Sequence, residues 1–351
     1  MATQNRDGVT LGILNRVAYQ GGLEDEVEKL RRAYPSVRFV LGHYEEPHAL
    51  RTARSVSVAP DTLRAQAPAL DESQLALFAQ VDAVIALDLP FDVRSVAPKL
   101  KWVQAIAAGT NQLQSAGLGA AGIRLTSNGG ANAVSVAEFV VARILEVMKR
   151  LRAINAAQSE RTWRPLNGTQ LAERTIGLIG LGSINLRVAA LMKAFGAHVL
   201  AVRRSSEPSF HVDRVYRLDD IEQMLADSDI VVAAVPDTQE TAGLMNATRI
   251  AAMRPAAIFC NVGRGTLVDE AALVAALHQG QLAAAVLDVM SVEPLPADHP
   301  LWATPNLYLS PHCATDPGAM FRNLYRLLGD NIGRFLQGAP LLSEVDLETR
   351  A

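Results

Sequence analysis

The stretch 175–205, TIGLIGLGSINLRVAALMKAFGAHVLAVRRS, constrains the fold more than any other part of the chain. Thr175–Ile179 is an apolar strand candidate, Gly180-Leu181-Gly182 a turn, and Ser183 onward an amphipathic helix leading to the next strand candidate, His198–Val202. Strand, glycine turn, helix and strand in that order make a βαβ unit, and a βαβ unit implies a parallel sheet. Gly180 and Gly182 let a pyrophosphate approach the backbone closely. There its charge meets the free N–H groups of a helix N-terminus, here at Ser183 and Ile184. A plain structural turn is the competing reading of a Gly-x-Gly pair, and the surrounding βαβ pattern favours a dinucleotide site over it.

Two features of this unit depart from the usual fingerprint. Asn185 occupies the third position of G-x-G-x-x-G, where glycine or alanine lets the helix pack closely on the strand. Its bulk and polar amide predict a helix set farther out and a weaker hold on the cofactor. A carboxylate at the end of the second strand would hold the adenosine ribose 2′-OH of NAD. The chain reads Val202-Arg203-Arg204-Ser205 there, with no acid. Two guanidiniums and a hydroxyl suit a 2′-phosphate, so NADP is the expected cofactor and NAD the second choice. Composition supplies the counterargument. Of 33 basic residues only five are Lys, so Arg is the background cation of this chain and solvent-facing arginines are the alternative.

Elsewhere, short aliphatic runs alternate with helical patterns. Strand candidates lie at 10–14, 37–41, 82–87, 230–234, 257–261, 283–288 and 307–309. Between them, 26–32, 184–195, 221–226 and 270–278 carry apolar positions at helical spacing, which predicts parallel α/β sheets. From Asn132 to about Glu160, Val136, Val140, Ile144, Met148 and Leu151 form a sustained stripe. It predicts one long core helix, with a subunit-contact helix as the alternative. A chain of 351 residues exceeds one ordinary core and predicts two domains.

With 49% hydrophobic residues, 20% charged and a formal net charge of −3, the chain has no electrostatic footprint for nucleic acid or an anionic membrane. No run approaches the roughly 18–20 apolar residues needed to span a bilayer. Residues 1–9 lack a basic flank leading into an apolar region, so no signal peptide is expected. Cys260 and Cys313 form neither a disulfide framework nor a CxxC metal site. A cytoplasmic protein without a metal is expected.

Three further stretches carry chemistry. They are Asn261-Val262-Gly263-Arg264-Gly265-Thr266-Leu267-Val268-Asp269-Glu270, then Leu287-Asp288-Val289-Met290-Ser291-Val292-Glu293-Pro294, then Ser310-Pro311-His312-Cys313-Ala314. Together with the glycine loop they resemble the D-isomer-specific 2-hydroxyacid dehydrogenases, a group that includes glyoxylate/hydroxypyruvate reductases and D-lactate dehydrogenases. The likeness runs from about Leu100 to Ala314. Reducing a 2-oxo acid to its D-2-hydroxy acid needs a cation for the carboxylate, an acid for the developing alkoxide and a hydride donor. Arg264 supplies a fixed fork for carboxylate and carbonyl oxygens. His312 can donate a proton near neutral pH. Glu293 can hold the imidazole in one tautomer and favour its protonated form. The resemblance further implies that Asp288 meets the nicotinamide, and that Val235, Pro236, Val262 and Gly263 line the cofactor site.

Upstream, Leu100 to Asn111 resembles the family's substrate loop, which implies that backbone N–H groups near Ala108 and Gly109 bind the carboxylate. Asn111 replaces the usual Asp there. The stretch 130–138 resembles the equivalent part of the related formate dehydrogenases, whose Asn contacts substrate. Asn132 matches it, and a helix N-cap is an equally good reading.

The implied fold is α/β, with two doubly wound domains discontinuous in sequence. A Rossmann cofactor domain would span 127–312, and a flavodoxin-like substrate domain 1–126 plus 313–351, closing to exclude water before hydride transfer. The family implies a homodimer. Two alternatives stand beside the NAD(P)-dependent dehydrogenase reading. One is a formate dehydrogenase-like enzyme, disfavoured because that branch has Gln-Pro where this chain has Glu293-Pro294. The other is a nucleotide-sensing, corepressor-like scaffold of the same fold.

Overall fold

The computed structural model describes residues 8–15, 24–56, 61–205 and 207–347; the segment 1–7 read above for a leader lies outside them. The described chain divides into two compact units, 1–131 with 317–351 and 132–316. These divisions fall a few residues beyond the 126/127 and 312/313 limits read from the sequence.

Unit 1 is built on five parallel strands, β1 (Thr10–Ile13), β2 (Arg38–Leu41), β3 (Ala83–Ala86), β4 (Trp102–Ala105) and β5 (Arg124–Thr126), in the order β2-β1-β3-β4-β5. That is the flavodoxin-like winding, with its switch point between β1 and β3. Alternate residues of each strand enter two separate cores. Leu11, Ile13, Ala83, Ile85 and Trp102 face one layer, and Val84, Ala86, Val103 and Ala105 face the other. A sheet buried on both faces explains why these strands are continuous apolar runs.

Unit 2 holds seven parallel strands: β6 (Thr175–Ile179), β7 (His198–Val202), β8 (Arg214–Tyr216), β9 (Ile230–Ala233), β10 (Ala257–Asn261), β11 (Leu282–Leu287) and β12 (Leu307–Leu309). Their order, β12-β11-β10-β9-β6-β7-β8, is the doubly wound dinucleotide-binding arrangement. On β9 the faces alternate cleanly: Ile230 and Val232 enter one core, Val231 and Ala233 the other. The outer edge of β12 is closed by arginines. Arg143 donates to the Leu309 carbonyl at 3.0 Å and Arg152 to that of Leu307 at 3.2 Å, which protects an edge that would otherwise invite pairing.

All nine strands read in the sequence form, within one residue at either end. Three were missed. β5 and β8 have only three residues each, too few for a periodic signal, and β4 lies inside the stretch assigned above to the substrate loop.

The long helix is corrected. Residues 132–160 form two helices, Ala133–Met148 and Leu151–Ser159. Arg150 between them is left-handed, with φ 56°. The chain returns across this break: the Thr169 N–H donates to the Met148 carbonyl at 2.9 Å. Gly168 lies so close that a Cβ there would sit 2.5 Å from the Met148 oxygen. The break is made by a long-range crossing, which the local apolar stripe does not encode.

Candidate active site

In an open parallel sheet, ligand groups gather where the strands end. In unit 2 every candidate residue but Asn132 follows a strand C-terminus: Gly180–Ile184 after β6, Arg203 and Arg204 after β7, Val235 and Pro236 after β9, Val262–Arg264 after β10, Asp288 and Glu293 after β11, and His312 after β12. One sheet edge thus collects residues spread over more than a hundred positions of sequence.

The glycine loop has the shape a pyrophosphate needs. Gly180 has φ 81°, and a Cβ on it would lie 2.5 Å from Val235 Cγ1, so a side chain is excluded on both counts. A Cβ on Gly182 would meet nothing within 4 Å, so the backbone there is approachable. Gly182 caps the helix Ser183–Ala194 with no side chain of its own, which leaves the first-turn N–H groups of Ser183 and Ile184 as free donors. The residues present fit a dinucleotide.

Asn185 has a part the sequence does not show. Its side chain is fully buried, with Oδ1 left without a partner among the described residues. The amide Nδ2 donates to the carbonyls of Ile179 at 3.0 Å and Gly180 at 2.7 Å, tying the helix to the strand end and the glycine turn. Val188, Ala189 and Met192 of the same helix are fully buried.

The two arginines after β7 differ. Arg203 is committed to the chain that follows it, donating to the carbonyls of Ser205 at 3.0 Å and Glu207 at 2.6 Å. Arg204 is exposed and has no partner among the described residues.

The β10 loop is shaped by Asn261, which sequence reasoning did not single out as a site residue. Buried at the strand end, it accepts from the Gly263 N–H at 3.0 Å and donates to the Arg264 carbonyl at 2.8 Å. Gly263 lies against the backbone after β9, where a Cβ would fall 2.9 Å from the Val235 carbonyl oxygen. Arg264 emerges extended and exposed, its guanidinium donating, among the described residues, to the Gly263 carbonyl alone at 2.7 Å. One terminal nitrogen, Nη1, is spent on that carbonyl, and the remaining guanidinium donors can receive an anion.

Asp288 is buried, and its carboxylate is occupied. Oδ1 accepts from Ser310 Oγ at 2.7 Å and the Cys313 N–H at 3.0 Å, and Oδ2 from the Ala314 N–H at 3.2 Å. The Asp288 carbonyl also accepts from the His312 N–H at 2.8 Å. Asp288 therefore anchors the turn carrying His312, a left-handed residue with φ 52°. The Nδ1 of His312 lies 2.8 Å from Glu293 Oε2, and Oε1 of Glu293 accepts from the Met290 N–H at 3.0 Å. The other ring nitrogen, Nε2, is left for a reacting group, and half of the His312 side chain is exposed.

Cys260 is a core residue of β10. Burial pushes its thiol up to about 12, with the Asp288 charge adding to the effect, so it is no nucleophile.

Asn132 sits at the N-cap position of Ala133–Met148 but makes no capping hydrogen bond, and its buried Oδ1 has no partner among the described residues. Of the two equal readings of Asn132, the N-cap one is not supported by a side-chain bond. Ala108 and Gly109 belong to unit 1, exposed on the segment after β4, and their N–H groups meet no backbone acceptor among the described residues.

Comparison with known proteins points to one family. Residues 141–314 match the family model described as the NAD binding domain of D-isomer specific 2-hydroxyacid dehydrogenases. A glyoxylate reductase from Aeropyrum pernix is 32% identical, covering 76% of this chain and 83% of that one. The crystal structure of a D-isomer specific 2-hydroxyacid dehydrogenase from Xanthobacter autotrophicus, in complex with NADPH and MES, superposes with a TM-score of 0.77 at 28% identity, over 97% of this chain and 99% of that one. An NADPH-dependent glyoxylate/hydroxypyruvate reductase from Sinorhizobium meliloti, with NADP and sulfate, gives 0.72 at 25% identity, over 97% and 98%.

Proposed function

The chain belongs to the D-isomer specific 2-hydroxyacid dehydrogenase family and is an NAD(P)-dependent oxidoreductase, and from that premise we propose an NADPH-preferring reductase of small 2-oxo acids of the glyoxylate and hydroxypyruvate type. The observation that carries this reading is the His312–Glu293 contact of 2.8 Å, with Arg264 exposed at the end of β10 in the same sheet.

The bound cofactor supplies the hydride. The protein supplies the rest. Arg264 receives the oxo-acid oxygens in a planar, doubly hydrogen-bonded contact that a single ammonium cannot reproduce. His312, protonated and held at Nδ1 by Glu293, offers Nε2–H to the carbonyl oxygen as negative charge develops there. Glu293 stabilises the imidazolium before transfer and keeps the ring in one orientation after it. Asp288 holds the turn that presents His312, and we assign it that anchoring part beside any contact with the nicotinamide.

Arg204, exposed and unpaired among the described residues, is our candidate for the 2′-phosphate. Arg203 shapes the loop around it.

We also propose a cytoplasmic homodimer, in keeping with two free cysteines and with an unusual surface on unit 2. Trp163, 98% exposed, lines a groove of about 510 Å³ with Ile154, Ala157 and Pro165 and with the polar Gln158, Arg161, Thr162 and Arg164, and Leu151 is exposed on the same helix as Ile154. An exposed indole beside exposed aliphatic side chains supports a contact with a second copy of this chain.

The test is a panel of 2-oxo acids with NADPH and NADH, followed at the nicotinamide absorbance. Turnover of glyoxylate or hydroxypyruvate is expected. Cofactor binding without turnover of any 2-oxo acid would overturn the proposal in favour of a nucleotide-sensing scaffold, and turnover of formate alone in favour of the formate branch. No observation favours either.

A further inference from the structure

Glu293 reaches His312 from a loop, and what holds that loop lies in a different motif. Glu270 opens the helix Glu270–His278, just after its N-cap Asp269. Its Oε1 accepts from the Ser291 N–H at 2.7 Å and its Oε2 from the Ser291 hydroxyl at 2.8 Å. Both carboxylate oxygens are thus spent on one residue, two positions before Glu293. Gly265 presses on the same loop: a Cβ there would lie 1.9 Å from the Met290 carbonyl carbon and 2.4 Å from the Ser291 nitrogen. Within the loop, the Met290 N–H donates to Glu293 itself.

We propose that Glu270 is a positioning residue for the acid–base pair: its carboxylate clamps Ser291, and through Ser291 the loop from which Glu293 reaches His312. The inference rests on the reading of His312–Glu293 as the acid–base pair. The clamp joins the motif bearing Arg264 to the loop bearing Glu293, so anion binding and proton donation are set from one scaffold. Glu293 is a loop residue about one-third exposed in its side chain (34%), so its place within hydrogen-bonding range of the imidazole depends on how that loop is held. The titratable and charged groups on the segments around His312 are Glu293, Asp288, Cys313, Asp316, Arg264 and Glu270. Of these, Glu293 contacts the ring.

The sign of the effect follows from the chemistry. Reduction needs His312 protonated, so kcat/KM falls as pH rises through its titration. A Glu293 that wanders stabilises the imidazolium less, and the alkaline limb moves to lower pH. The experiment is the pH profile of kcat/KM for glyoxylate with NADPH, in the wild-type enzyme and in Glu270→Ala, Glu270→Gln and Ser291→Ala. Glu270→Ala should move the limb to lower pH and cost about tenfold in kcat/KM at neutral pH. Ser291→Ala keeps the backbone N–H bond, and Glu270→Gln keeps one acceptor, so both should fall between. Glu270→Ala combined with Ser291→Ala should match Glu270→Ala alone, because the two residues act as one contact.

A midpoint unmoved in Glu270→Ala overturns the proposal whatever the specific activity, since loss of folded enzyme lowers the amplitude without moving the midpoint. Should Glu270→Ala fail to fold, unmoved midpoints in both milder variants overturn it equally. A wild-type profile with no alkaline limb, or one that Glu293→Gln leaves in place, would instead overturn the acid–base pair itself.

Discussion

Asn185 donates its side-chain amide to the carbonyl of Gly180 at 2.7 Å, from a fully buried position in the first turn of the helix that follows the glycine loop. The same amide reaches the Ile179 carbonyl, so one side chain joins strand, turn and helix. Asn185→Gly should therefore weaken cofactor binding and lower stability, in place of the tighter binding that a third glycine promises from sequence. Two buried hydrogen bonds are lost and a glycine enters the helix, about 2 kcal/mol together. A melting temperature lower by about 4–8 °C is expected for a unit of this size. Calorimetry and NADPH titration check it, and an unchanged melting temperature with tighter binding would show that the amide carries nothing.

His312→Gln should keep NADPH affinity and lose most reductase turnover, by about 10²- to 10⁴-fold. The cofactor loops do not depend on the imidazole, whereas its Nε2 has no substitute as proton donor. Fluorescence titration alongside steady-state kinetics separates the two effects. Near-wild-type turnover at neutral pH would remove His312 from the mechanism.

Arg264→Lys should raise KM for the oxo acid by roughly ten- to a hundredfold, the range expected for a charged hydrogen bond of about 1.5–3 kcal/mol. The loop itself should survive, because Asn261 holds it through backbone groups of Gly263 and Arg264. An unchanged kcat/KM would place the substrate carboxylate elsewhere.

The wild-type enzyme should prefer NADPH over NADH by at least about tenfold in kcat/KM at moderate salt, less at higher ionic strength because the contact is exposed. Arg204→Ala should remove most of that preference while leaving NADH kinetics nearly unchanged. Arg203→Asp adds a ribose acceptor and repels the phosphate, and it also releases the carbonyls of Ser205 and Glu207. It should reverse the preference at some cost to both cofactors. Equal efficiency of the two cofactors in the wild type would sink the NADP assignment and leave the oxidoreductase intact.

Trp163→Asp should shift the protein from dimer to monomer in sedimentation, with the melting curve of the monomer little altered, because an indole 98% exposed in one chain supports no core of its own. A dimer of unchanged strength would move the contact to another surface.

What the amino-acid sequence determined by itself was whatever depends on local order. Strand positions were legible because a sheet buried on both faces demands unbroken apolar runs, and the glycine loop because strand, turn and helix follow one another directly. Arg264, Glu293 and His312 were legible because each lies in its own short motif. Tertiary structure alone decided the rest. Glu293 and His312 stand 19 positions apart, and they meet at 2.8 Å because β12 pairs with β11 and brings both following loops to one edge. The break at Arg150 follows from Gly168 crossing there, and Glu270 clamps Ser291 across 21 positions. The bonds of Asn185 are illegible in the sequence for the same reason. A buried amide costs stability or adds it according to whether carbonyls face it, and those carbonyls are placed by the packing of helix on strand, which no local pattern of residues encodes.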